Sequence, residues 1–89
     1  MPSALTDVLV RLRDEFGDAL PPIIIGENGA SFPEPNAAGF VDDNDRSAYL
    51  AGHISAVGAA IAAGVDVEEY NVWSLLDNFE WASGYTQRF

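Results

Sequence analysis

The stretch "IIIGENGASF", Ile23 to Phe32, decides how this chain folds. Pro21-Pro22 ahead of it forbids helix, and three consecutive β-branched residues follow without polar alternation. An apolar run of that kind marks a strand covered on both faces, which is the habit of parallel sheets. The strand ends on a carboxylate, Glu27, just before the turn-forming pair Asn28-Gly29. In α/β architectures the carboxyl end of a strand is where ligands and catalysis gather. A carboxylate held there has two readings. It is either an acid aimed at a substrate or a strand-end residue satisfied by backbone donors.

Working outward, Leu5, Val8, Leu9, Leu12 and Phe16 recur at the spacing of one helical face. Ser3 is expected to cap that helix and Gly17 to end it. After the strand, residues 28–43 carry Asn28-Gly29, Pro33, Pro35 and Gly39 and read as a long loop, of the kind that is often functional. A second helix is expected from Asn44 to Ala63, with Asp43 as its cap and Leu50, Ile54, Val57 and Ile61 as its buried stripe. Gly64 ends it. A second strand is expected within "VDVEEYNVWSLL", centred on Tyr70 to Leu75. The order helix, strand, helix, strand contains a βαβ unit, whose crossover is right-handed. Two parallel strands with one helix-covered face leave both edges open, so periodicity alone predicts a piece of a larger α/β sheet.

Composition narrows the function. The chain has 89 residues, enough for one domain at most, and is 48% hydrophobic, which excludes a disordered segment. It has no cysteine, so no disulfide staples it and no thiolate holds a metal; the expected location is the cytoplasm. A net charge of −10 with four arginines and no lysine speaks against nucleic acid. "SAVGAAIAAGVDV" is the most apolar tract and falls short of the ~20 residues a bilayer crossing needs, so no membrane partner is expected.

Trp73 lies on or near the second strand, and Asp77, Glu80 and Trp81 follow it. Indole faces pack against the apolar face of a sugar ring, and carboxylates accept its hydroxyl hydrogens. Core packing is the commoner fate of a tryptophan, and the acid at the end of the first strand strengthens the sugar reading beside it. His53, between Leu50 and Val57, reads as a packed core histidine. "DDNDRS" lacks the glycine and terminal glutamate of a calcium loop, and Asp42, Asp43 and Asp45 read as a helix cap and first turn.

Taken together, "IIIGENGAS", "VDDNDRSAYLAGHISAVGAAIAAGVDV" and "VWSLLDNFEWASGYTQRF" closely resemble the C-terminal part of the family-one glycoside hydrolases, the β-glucosidase family. Even "PSALTDVLVRL" resembles that family's entry into the helix before strand seven. The resemblance implies that residues 1–89 are the C-terminal quarter of a (β/α)₈ barrel: helix six, strand seven, helix seven and strand eight, the last within Glu69 to Leu75. It implies a retaining β-glycosidase acting on terminal β-linked sugars, a β-glucoside or oligosaccharide, without metal or organic cofactor. Glu27 matches the nucleophile. Trp73 matches the tryptophan under the sugar, Glu80 the carboxylate that binds two glycone hydroxyls, Trp81 the indole that donates to a neighbouring hydroxyl, and Phe89 the continuing pocket wall. The family's acid/base lies in a T-x-N-E-P segment that is not in this sequence, so the chain alone is expected to be inactive.

Two departures stand out. Gly26 replaces a usual threonine, and Glu68-Glu69-Tyr70-Asn71 replaces a glycine-tyrosine-apolar pattern. Buried acids cost solvation, so an irregular start to strand eight is expected. The missing part of the barrel, or another copy of the chain, is the expected macromolecular partner. A non-catalytic module that binds sugar weakly or self-associates is the second reading, and a small calcium-binding or acidic interaction protein the third.

Overall fold

The structure, a computed structural model, describes residues 1–33, 43–76, 78, 79, 81–84 and 87–89, the side chains of Pro33 and Arg88 excepted. The chain runs through helix α1 (Ser3–Phe16), a 3₁₀ turn (Gly17–Ala19), strand β1 (Ile23–Asn28), the short strand β2 (Phe32–Pro33), helix α2 (Asn44–Ala62), strand β3 (Val67–Val72), a second 3₁₀ turn (Trp81–Ser83) and the short strand β4 (Gln87–Arg88). β1 and β3 pair in parallel, with α2 as their crossover. β2 and β4 form a separate antiparallel pair, Phe32 opposite Arg88 and Pro33 opposite Gln87. The sequence reading did not contain this second pair.

The helix ends correct two expectations. Pro2, not Ser3, occupies the N-cap position of α1, at φ −56°. Its ring fixes φ near the helical value, so the helix starts one residue earlier. Gly17 closes α1 as expected, at φ +53° with its N–H on the Arg13 carbonyl. Asp43 precedes α2 but makes no side-chain cap bond. Its carboxylate takes the Arg46 guanidinium instead, Nη1 to Oδ1 at 2.5 Å, because a charge-assisted bond outcompetes a neutral backbone donor.

The core sits where α1 and α2 cross one face of the sheet. Leu9, Ala60 and Val65 are its buried centre, and Leu5, Val10, Ile23, Ile25 and Val67 pack around them. On α2 the buried residues are Ala56, Val57 and Ala60. Of the four expected stripe residues only Val57 is buried; Leu50 is half-buried, and Ile54 and Ile61 are 53% and 49% exposed. Small residues won the interface because the helices come close: a Cβ on Gly52 would lie 2.9 Å from the Pro2 ring. The Thr6 hydroxyl donates to the Ala56 carbonyl at 2.8 Å across that contact. On α1, Val8 and Phe16 likewise stand exposed beside half-buried Leu5 and buried Leu9.

Strand β3 spans Val67–Val72, which is earlier than the expected Tyr70–Leu75 and than the Glu69 start implied by the resemblance. Valine before the two acids supplies β-branched strand former, while Ser74 to Leu76 leave the ladder. The expected irregularity is present. The register steps from Ile23–Val67 to Ile24–Glu69, leaving Glu68 as the extra residue of a bulge. Both Glu68 and Glu69 are exposed, so neither carries a burial cost. Among the described residues no helix is long and apolar enough to cross a membrane.

Candidate active site

A second irregularity shapes the end of β1. Three residues advance on β1, from Ile25 to Asn28, against two on β3, from Tyr70 to Val72. Strict alternation would put Glu27 in phase with Ile23 and Ile25, which pack toward the helices. The bulge resets that phase. Ile23, Ile25 and Asn28 are half-buried, while Ile24, Gly26 and Glu27 are exposed. A bulge re-aims a side chain in this way, and here the carboxylate is left clear of the helix layer.

β1 runs one residue past Glu27, and Asn28, expected as half of a turn, is instead the last strand residue and holds the strand end. Its side-chain oxygen accepts the Tyr70 hydroxyl from β3. Its amide nitrogen donates to the Tyr49 hydroxyl of α2 over a long 3.4 Å. Tyr49 in turn stacks on His53, ring centroids 4.0 Å apart, and the His53 Nδ1 lies 2.8 Å from the Tyr49 carbonyl. His53 is half-buried and so fills the packing role expected of it. Burial, with a smaller contribution from Tyr49, raises the Tyr70 pKa above its ordinary 10.0. The Tyr70 hydroxyl therefore stays a donor through neutral pH. Asn71 adds a stitch, its amide reaching the Ile25 carbonyl at 3.1 Å and the Glu69 carboxylate at 2.9 Å.

The two strand ends are locked to each other. The Trp73 N–H donates to the Asn28 carbonyl at 3.0 Å. A Cβ on Gly29 would fall 2.0 Å from the Trp73 carbonyl oxygen, so only glycine lets the backbones meet there. This contact brings the Glu27 and Trp73 segments to one end of the sheet. The Trp73–Ser74 peptide is cis. Trp73 is 43% exposed and Trp81 is 87% exposed, so neither packs into the core formed within these residues. Trp81 takes φ +30°, a left-handed conformation that a bulky residue adopts only under local constraint. Phe89 is half-buried at the end of the chain, next to β4. Glu80, Asp77 and Asp42 lie outside the described residues. No group of three or more His, Asp or Glu side chains that could hold a metal occurs among the described residues.

Sequence reasoning missed Tyr49, Asn28 and Tyr70 as a unit. Asn28 was legible only as half of a turn pair, and nothing in its spacing from two tyrosines predicts their convergence. Arg46 sets its guanidinium above the Phe32 ring, 5.1 Å to the centroid, which ties β2 to the start of α2.

Comparison with known proteins places this arrangement. Residues 1–89 match the model of Glycosyl hydrolase family 1. A bifunctional β-D-glucosidase/β-D-fucosidase of Bifidobacterium breve is 46% identical over 99% of this chain, which spans 20% of that protein. β-Glucosidase A of Enterobacter agglomerans is 47% identical over 99% of the chain, which spans 18% of it. The crystal structure of a psychrophilic β-glucosidase from Micrococcus antarcticus superposes on the whole chain with a TM-score of 0.89 at 50% identity, covering 19% of its own length. The chain therefore spans about a fifth of the length of these relatives. Its fold is part of their (β/α)₈ barrel, with β1, α2 and β3 as the expected strand–helix–strand unit.

Proposed function

The chain belongs to glycosyl hydrolase family 1, and from that premise we propose that Glu27 is the nucleophile of a retaining β-glycosidase, a β-glucosidase in substrate class. One observation carries the reading: the bulge in β1 leaves Glu27 exposed at the carboxyl end of a parallel pair, where barrel enzymes keep their chemistry. In the two-carboxylate mechanism, a Glu27 oxygen attacks the anomeric carbon while a second carboxylic acid protonates the departing glycosidic oxygen. The new ester then breaks as water attacks the same carbon, its proton passing to the second carboxylate and Glu27 leaving as carboxylate. Such groups stand about 5–5.5 Å apart, and no metal or organic cofactor is called for.

Trp73 lies under the sugar in this reading, Trp81 donates from its indole, Glu80 binds two glycone hydroxyls, and Phe89 continues the wall. The exposure of Trp73 and Trp81 supports the first two roles. The second carboxylate is not among these residues, and loss of a general acid costs roughly 10²- to 10⁴-fold in rate. The 89-residue chain alone is therefore inactive, and the cytoplasm, a reducing compartment, suits its lack of cysteine.

The test is hydrolysis of a chromogenic β-glucoside by the chain alone and by the chain mixed with a polypeptide carrying the first six strands. Turnover only on mixing, lost in Glu27→Ala, is the expected result; turnover by the chain alone overturns the absence of the acid/base, and turnover that survives Glu27→Ala overturns the nucleophile. A second reading, a non-catalytic module that self-associates, is favoured by the exposed Ile24, Leu75 and Leu76.

A further inference from the structure

Three elements converge on one amide. Asn28 follows Glu27 directly, and its side chain is taken from one side by Tyr70 of β3 and from the other by Tyr49 of α2. Its backbone carbonyl is simultaneously held by the Trp73 N–H. An asparagine has one accepting oxygen and one donating nitrogen, and both are in use here. The bond from Tyr70 needs the side chain of Asn28 on the helix side of the sheet. With Ile25 also on that side, the two residues between them are left to the other face, which is where Gly26 and Glu27 are exposed. The amide clamp and the orientation of Glu27 are therefore one geometric fact.

We infer that Tyr70 and Tyr49, acting through Asn28, are positioning residues that fix the register bulge and with it the aim of the Glu27 carboxylate. None of the three touches substrate in this scheme. It rests on Glu27 as the nucleophile, and the experiment separates the two claims.

The experiment reads these 89 residues inside a whole barrel, the Micrococcus antarcticus β-glucosidase with its matching segment, 50% identical, exchanged for this chain. Tyr70→Phe removes one oxygen and leaves the ring in place. It should lower kcat by roughly 10- to 100-fold, the scale of a misplaced reacting group, with KM nearly unchanged. It should slow labelling of Glu27 by a 2-fluoroglycoside to the same degree. Asn28→Ala should do at least as much, and the double variant should fall no further than Asn28→Ala alone. Tyr49→Phe should cost less, because its bond is the longer one. Crystal structures of the exchanged enzyme and of its Tyr70→Phe variant should show the Glu27 carboxylate displaced in the second.

A Tyr70→Phe enzyme with unchanged kcat, or with additive losses in the double variant, overturns the clamp, as does a Glu27 carboxylate that stays in place. A merely structural role would lower the melting temperature and leave the labelling rate untouched. Glu27→Ala in the same exchanged enzyme is the separate control. If it keeps its turnover, the nucleophile assignment fails; if it is dead while Tyr70→Phe is fully active, only the clamp fails.

Discussion

At the scale of single residues, the site depends on one missing atom and one hydroxyl. Gly29 has no Cβ, and the Trp73 carbonyl oxygen occupies the place where one would sit. In the whole barrel, Gly29→Ala should push the strand ends apart and cost about 1–3 kcal/mol, as overpacking does elsewhere, read as a lower melting temperature together with lower kcat. Tyr70 gives a pH signature. Its pKa is raised in the fold by burial and by Tyr49, so the fold favours the neutral phenol. That contribution is fully present below pH 10, the ordinary value, and is lost as pH rises through the higher folded value. Alkaline unfolding followed by circular dichroism should show a steeper loss of stability above pH 10 than in the Tyr70→Phe variant. Of this detail the sequence disclosed the strand that carries Glu27, because a β-branched run leaves a local mark; the expected Asn28-Gly29 turn is not there, since Asn28 is the last residue of β1. The tyrosine clamp left no such mark, since Tyr49 and Tyr70 are brought to Asn28 only by tertiary packing.

At the scale of elements, period predicted which segments are helix and strand but not which face is buried. Ile54 and Ile61 looked like the buried stripe of α2, yet the helix buries Ala56 and Ala60 beside Val57. Hydrophobicity marks large residues, whereas close helix contact selects small ones, and a single sequence gives no sign of how near its neighbour lies. The strand was misjudged differently: its irregular start at Glu68-Glu69 was foreseen, but β3 begins at Val67, ahead of both acids, and ends at Val72 rather than Leu75. Two substitutions on α2 separate propensity from packing. Gly58 faces open space, with nothing within 4 Å of a built Cβ. Gly58→Ala should stabilise the chain by about 0.5–1 kcal/mol through helix propensity alone. Ala60 is 0% exposed, and Ala60→Leu should destabilise it by about 1–3 kcal/mol through overpacking. Melting temperatures moving in opposite directions would check both.

At the scale of the molecule, the chain is an open slice. Its radius of gyration is 15.8 Å, against about 12 Å for a compact domain of this length. Leu75, Leu76 and Ile24 are 95%, 75% and 59% exposed, and both outer edges of the β1–β3 pair carry no neighbouring strand among the described residues. Apolar surface favours association while the net charge of −10 opposes it. Salt shortens the reach of that repulsion to about 3 Å at 1 M and leaves the apolar surface as it was. Sedimentation of the chain alone should therefore show association that grows with ionic strength; dissociation by salt would mean that ion pairs, not apolar faces, drive it. Open edges were foreseeable from two parallel strands and one crossover helix. The pairing of β2 with β4 was not, because two-residue strands carry no period. That pairing has a practical corollary. Phe32 and Pro33 run alongside Arg88 and Gln87, so the segment after Glu27 and residues 87 and 88 form a single mechanical part. Anyone transplanting the tail from a relative must bring positions 32 and 33 with it, or the graft will arrive without its seat.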